Sequence, residues 1–219
     1  MGLIAKGTKT SEPIPAGLHQ AVCFSVVDTG TRHNDAFDKD VHEVVLGFEI
    51  PSVRIKFERD GQEIEGPRVT SKTYTISLHD KAKLCQDLIS WRGKAFTTAE
   101  KAGFDISKLV GVNCQLQMLH RESDGKTYAN INSILPAAVG QKLTPEAPTQ
   151  YFSFEEHTAL PDGVPQWLVE KVQGSPEWAK LHGGIGNVDS GVSDGLTYDG
   201  PTGVSDEGIA EDDSESLPF

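Results

Sequence analysis

The apolar positions of this chain follow two rhythms, one of two residues and one of three to four. LHQAVCFSVVDTG (18–30) is β-branched and aromatic and closes on a glycine turn, which predicts a strand. HEVVLGFEIP (42–51) predicts a second strand, stopped at Pro51 because proline has no N–H to give a ladder. SVRIKFERDGQEIEG (52–66) carries the hairpin signal Asp60-Gly61 and is expected as an insertion or a long loop between the second and third strands. That third strand is RVTSKTYTISL (68–78), where apolar and polar residues alternate. The period then changes. DKAKLCQDLISWRG (80–93) sets Leu84, Leu88 and Trp91 at helical spacing and ends at Gly93. A looser helical stretch follows over 97–111. Strand character returns in VNCQLQMLHRE (112–122) and, after the turn SDGK, in TYANINSILPA (127–137). Phe24, Val26, Phe48, Cys114, Leu116 and Met118 are the expected core, with Trp91 packed at the helix end.

Three strands, a helix and two strands is the order of the OB-fold, a five-stranded barrel with a helix between strands 3 and 4 that serves as a scaffold for single-stranded nucleic acids and oligosaccharides. The expected fold class is therefore mainly β, with such a barrel over 1–140. Residues 141–182 form a short helical extension. Pro165 and Pro176 sit as first-turn prolines and Ser175 as an N-cap. One short helix carries Trp167, Leu168 and Val172, the next Trp178 and Leu181. Neither is long enough to stand alone in water, so they either pack on the barrel, the preferred expectation, or form a docking element for a partner or a second subunit.

Composition separates the rest of the chain from this domain. The net charge of −12 over 219 residues argues at first against a polyanionic partner. Its distribution reverses that, because residues 1–140 carry 17 Lys+Arg and 17 Asp+Glu, whereas 141–219 carry 3 and 15. From Gly183 onward there are nine acids, no Lys or Arg, and much Gly and Ser. Such a segment cannot bury enough apolar surface to offset its chain entropy, so 183–219 is expected to be a disordered acidic tail. Cys23, Cys85 and Cys114 have no C-x-x-C spacing and suit a reducing compartment. No apolar run has the length of a signal peptide or a membrane span, so a cytoplasmic protein with no membrane partner is expected.

The final residues, EDDSESLPF (211–219), set four acids before Leu-Pro-Phe. Asp212, Asp213, Glu215, Leu217, Pro218 and Phe219 resemble the C-terminal tip of bacterial single-stranded DNA-binding proteins, where aspartates precede a short apolar end closing in Pro-Phe. Ser214 and Ser216 interrupt the acid run that the family keeps denser. The domain looks like the phage-encoded versions of that family. The resemblance implies a protein of phage DNA replication or recombination, in the host cytoplasm, whose tip recruits partner proteins. A basic-rimmed pocket with an apolar floor can take such a tip.

A single strand asks for a cationic track and for exposed rings on which bases stack. Period two puts Arg68, Lys72 and Tyr74 on one strand face. Arg54 and Lys56 share a face beside Arg59, and Arg121, Lys126 and Tyr128 flank the last hairpin, a loop that OB-folds use for binding. Arg92 and Lys94 are further candidate phosphate contacts, while Asp35, Asp38 and Asp40 are expected in an exposed loop rather than a metal site. No phosphate loop, nucleophile elbow or paired-acid motif asks for catalysis, and no metal or cofactor is expected. Two alternatives remain: a strand-annealing accessory protein, and an acidic DNA mimic, against which the segregation of the charge argues. The sequence leaves oligomeric state open, a homo-oligomer included.

Overall fold

A computed structural model describes residues 12–35, 38–59, 62–123 and 125–183. The expectations for 183–219, the tail and its Asp212, Asp213, Glu215, Leu217, Pro218 and Phe219, otherwise lie outside the described residues. Six strands form one sheet: β1 (Gly17–Asn34), β2 (Lys39–Arg59), β3 (Gln62–Thr75), β4 (Asn113–Ser123), β5 (Lys126–Pro136) and β6 (Gln150–Phe152). The order is β3-β2-β1-β4-β5, antiparallel throughout, with the short β6 parallel to β1. Between β3 and β4 lie α1 (Lys83–Arg92), α2 (Thr98–Ala102) and a 3₁₀ turn (Ile106–Leu109). After β6 come α3 (Gln166–Gln173) and α4 (Pro176–Leu181). The element order matches the expectation, and Gly93 caps α1 in the left-handed conformation, φ 67°.

β1 serves two partners in turn. Its first residues, Gly17 to Val22, pair with β4, and from Val22 onward it pairs with β2. Irregularities between Cys23 and Ser25 and between Asp28 and Gly30 bend it for the purpose. Pro51 does not stop the second strand. The register shifts between Ile50 and Arg54, so Pro51 falls where no ladder N–H is required, and β2 runs on to Arg59. The segment 52–66 is thus not an insertion but the outer arm of a long β2–β3 hairpin. Because β2 and β4 both run antiparallel to β1, this arm and the β4–β5 hairpin leave the sheet at the same end, beside Gly17.

One face of the sheet packs Val26, Val44, Phe48, Leu116, Met118 and Ile134 against Leu84, Leu88 and Trp91 of α1. Phe48 and Trp91 meet at 5.7 Å between ring centroids. Cys23 and Cys114 belong to this core; burial pushes the Cys23 thiol up to about 12 and raises Cys114 too. The edge strands β3 and β5 share no ladder among the described residues, and the sheet is open. Side chains bridge the seam. Lys72 of β3 donates to Asp87 of α1 (2.9 Å) and to the Ile131 carbonyl of β5 (3.1 Å), and the Tyr74 hydroxyl donates to Asp87 (2.7 Å).

The opposite, outward face carries a second core at one end only. Val27 and Val45 pack under Phe152, Leu168 and Val172, with Trp167 and Trp178 against them. The helical extension therefore docks on the sheet, as its two apolar stripes predict. Gly30 permits the approach: at φ 75° its missing Cβ would stand 2.6 Å from Ser175 Cβ. Glu177 then accepts from the Thr31 hydroxyl (2.5 Å) and amide (2.9 Å).

Candidate nucleic-acid interface

The expected cations and rings separate into three environments. Arg68, Lys72 and Tyr74 do share a face of β3, but it is the inner one. Arg68 is 6% exposed and Tyr74 3%. Burial, and next the Asp87 carboxylate, push the Tyr74 hydroxyl well above its ordinary value, so it stays a neutral donor inside the core. The period was right and its direction reversed. Between Arg68 and Thr75 it is Ser71, Thr73 and Thr75, polar and small, that face water. Tyr74 offers no surface for a base.

Arg54 and Lys56 are exposed but neutralised. Glu146 takes Arg54 with both carboxylate oxygens (2.5 and 3.2 Å), and Glu65 stands 3.5 Å from it. Lys56 binds Glu63 at 2.9 Å. The Glu146 hydrogen bond raises Arg54 above its ordinary value, and the Glu63 hydrogen bond does the same for Lys56. Carboxylates of the strap and of the facing strand thus meet both Arg54 and Lys56. Arg59 ends β2, and its side chain lies outside the described residues. Arg92 is likewise committed, to the Glu100 carboxylate and to the Phe96 ring 4.2 Å away; Lys94 is exposed. Asp35, Asp38 and Asp40 are exposed as expected and stand 3.0–3.7 Å from His33. Among the described residues no group of three metal-ligating side chains forms.

Arg121, Lys126 and Tyr128 are brought together. Arg121 is opposite Tyr128 and Ser123 opposite Lys126 in the β4–β5 register, so all point to the outward face. Arg121 and Lys126 are exposed, with no ion-pair partner among the described residues; Tyr128 is half-buried. The same face continues through Leu119, Asn130 and Gln117, then through Leu18 and Gln20 of β1. Leu18 is 59% exposed and Leu119 46%. Among the described residues no carboxylate occupies an outward position here. Glu122, the one acid within 17–22, 113–123 and 126–136, pairs with Thr127 on the other face. Leu18, Gln20, Gln117, Leu119 and Asn130 escaped the sequence reading, although the alternation of amides with core residues in NCQLQMLHR and ANINSI carried the signal.

A strap bounds this free area. After β5 the chain crosses the outward face along the row Asn113, Val22 and Glu49, three residues paired across β4, β1 and β2. Asn113 donates to the Leu143 carbonyl (2.9 Å) and accepts from the Leu143 amide (2.5 Å). Glu49, fully buried, accepts from the amides of Glu146 (2.8 Å) and Ala147 (2.9 Å). On one side of the strap the face lies under α3 and α4; on the other no described segment covers it. Comparison with family models, with curated proteins and with solved structures finds no match.

Proposed function

We propose that the chain binds single-stranded DNA through the bare outward face of β4, β5 and the start of β1, in the service of replication or recombination, as an OB-type sheet whose barrel seam is bridged by α1. The observation that carries this is the union, on one face with no described carboxylate, of Arg121, Lys126 and the Tyr128 ring. Cations without acids attract phosphates, and a ring amid them gives a base somewhere to stack. The outer face of β2 from Val45 to Glu49, on a strand that OB-folds commonly use, is here under the helices and the strap. The acids of 183–219 and the Leu217-Pro218-Phe219 end suit recruitment of a basic partner, and by their charge they compete with DNA for the same cations.

Titration of the whole chain with single-stranded DNA, duplex and RNA at several salt concentrations tests this. Single-stranded DNA should bind tightest, with affinity falling as salt rises. Arg121→Ala with Lys126→Ala should lower the magnitude of the log–log salt slope by about 1.4, two phosphates at ~0.7 each. Removing 211–219 should tighten binding at low salt, and Phe219→Ala should not. No single-strand binding at low salt, or a slope unmoved by the double substitution, overturns the assignment.

A further inference from the structure

On the same face two amides are held with one end engaged and the other free. Gln20 Oε1 accepts from the Ala138 amide (3.3 Å). A backbone N–H can only donate, so the atom facing it is oxygen and the Gln20 NH₂ is the free end. Gln117 Oε1 accepts from Asn132 Nδ2 and Ser133 Oγ, each at 2.9 Å. This double contact exists because the β4–β5 register shifts between Gln117 and Met118, adding one residue to β5. Gln117 faces Ser133, Met118 faces Ile131, and Asn132 is the extra residue between them. Neither NH₂ group has an acceptor among the described residues. Two donors on the outward face are therefore left without an acceptor among the described residues, with the exposed Leu119 and half-buried Tyr128 further along toward the hairpin.

We infer that this face holds bases by their edges as well as by their rings, and that Gln20 and Gln117 select carbonyl-bearing edges, those of thymine above adenine. This rests on the single-strand reading of the same face and extends it. A phosphate track needs only the cations. Amides whose oxygens are already spent add oriented donors beside a stacking platform. Thymine offers two carbonyl acceptors and no exocyclic amine. Adenine sets its ring-nitrogen acceptors beside an exocyclic amine, a donor facing donors, and so meets this pair of amides less well than two carbonyls do. The surrounding cations and the absence of outward carboxylates fit the same electron-rich ligand.

Oligo-dT outbinds oligo-dA for another reason also, since adenines stack on one another, so that comparison alone decides nothing. The test is oligo-dT against the same strand bearing difluorotoluene nucleosides, which keep thymine's shape and ring but lack its carbonyl acceptors. The whole chain should bind the substituted strand about three- to tenfold more weakly, the scale of one or two net hydrogen bonds. Gln20→Met with Gln117→Met, close in volume, should bind both strands alike, with the salt slope unchanged. Equal affinity of the unaltered chain for the two strands, with oligo-dT still bound, overturns the edge contact and leaves the single-strand assignment standing. Failure to bind oligo-dT at all overturns both.

Discussion

Lys72 separates a structural cation from a DNA-binding one, and Lys72→Met is the perturbation that shows which it is. Its ammonium sits in the seam between β3 and β5, 2.9 Å from Asp87, which is 4% exposed. Removing one partner of a fully buried ion pair costs about 3–5 kcal/mol. Here Lys83 stands 3.8 Å from the other Asp87 oxygen, and the Lys72 side chain keeps 18% of its exposure. Both soften the loss, so we set it at about 2 kcal/mol, or ~4–8 °C in Tm for a domain of this size. Tyr74→Phe removes a 2.7 Å hydrogen bond to the same carboxylate and should cost a comparable ~2 kcal/mol. The two substitutions share Asp87. Together they strip it of all but Lys83, and the double variant should lose more than the sum of the singles. Thermal unfolding followed by circular dichroism reads the stability. Oligonucleotide titration well below Tm reads the binding, which neither change should move. A Lys72→Met chain with unaltered Tm and severalfold weaker binding would refute the reasoning and return Lys72 to the interface.

Two further outcomes follow from the second core. Phe152 is fully buried between sheet and helices, so Phe152→Ala should cost about 3–5 kcal/mol, read by denaturant titration. Burial alone would raise Glu177, but the Thr31 hydroxyl and amide outweigh it and hold the carboxyl below its ordinary 4.5. A depressed folded pKa contributes stability that is present above the unfolded value and lost as pH falls through the folded one. Tm should therefore decline below about pH 4.5, and Glu177→Gln, less stable at pH 7, should flatten that part of the profile; parallel profiles for the two chains would remove Glu177 as a cause.

The elements were legible because each carries its own punctuation. Gly93 ends α1, Ser175 accepts from the Trp178 amide at the start of α4, and Thr97 with Glu100 forms a capping box before α2. Two things were not legible. Period two assigns Arg68, Lys72 and Tyr74 to one face but cannot say which face is inside. A lysine and a tyrosine read as surface until a buried acid from another element, Asp87, appears beside them. Charge pairing was equally hidden, for Glu146 lies 92 residues from Arg54 and only the strap brings them together. Arg121 and Lys126 escaped both problems, since a hairpin leaving the sheet has little to fold over it.

The strap explains why the sheet can have one outward face in two chemical states. Val27 and Val45 make one end apolar on both sides, and an apolar outward surface must be covered; α3, α4 and β6 cover it. Toward Gly17 the same face turns mainly to amides and cations, with Leu18 and Leu119 exposed among them, and no described segment covers it. The boundary is the row Asn113, Val22 and Glu49, the place where the chain returning from β5 must cross. A carboxylate fully buried on a sheet is costly unless its oxygens are satisfied, and both Glu49 oxygens take an amide of the strap. Glu49 therefore fixes the strap at one latitude. Arg54 fastens it again through Glu146, which is why that arginine is absent from the interface. Arg54 and Lys56 of the β2–β3 arm hold the fold's own acids, while Arg121 and Lys126 of the β4–β5 hairpin, with no described acid on their face, are the cations that the proposed single-strand binding would use.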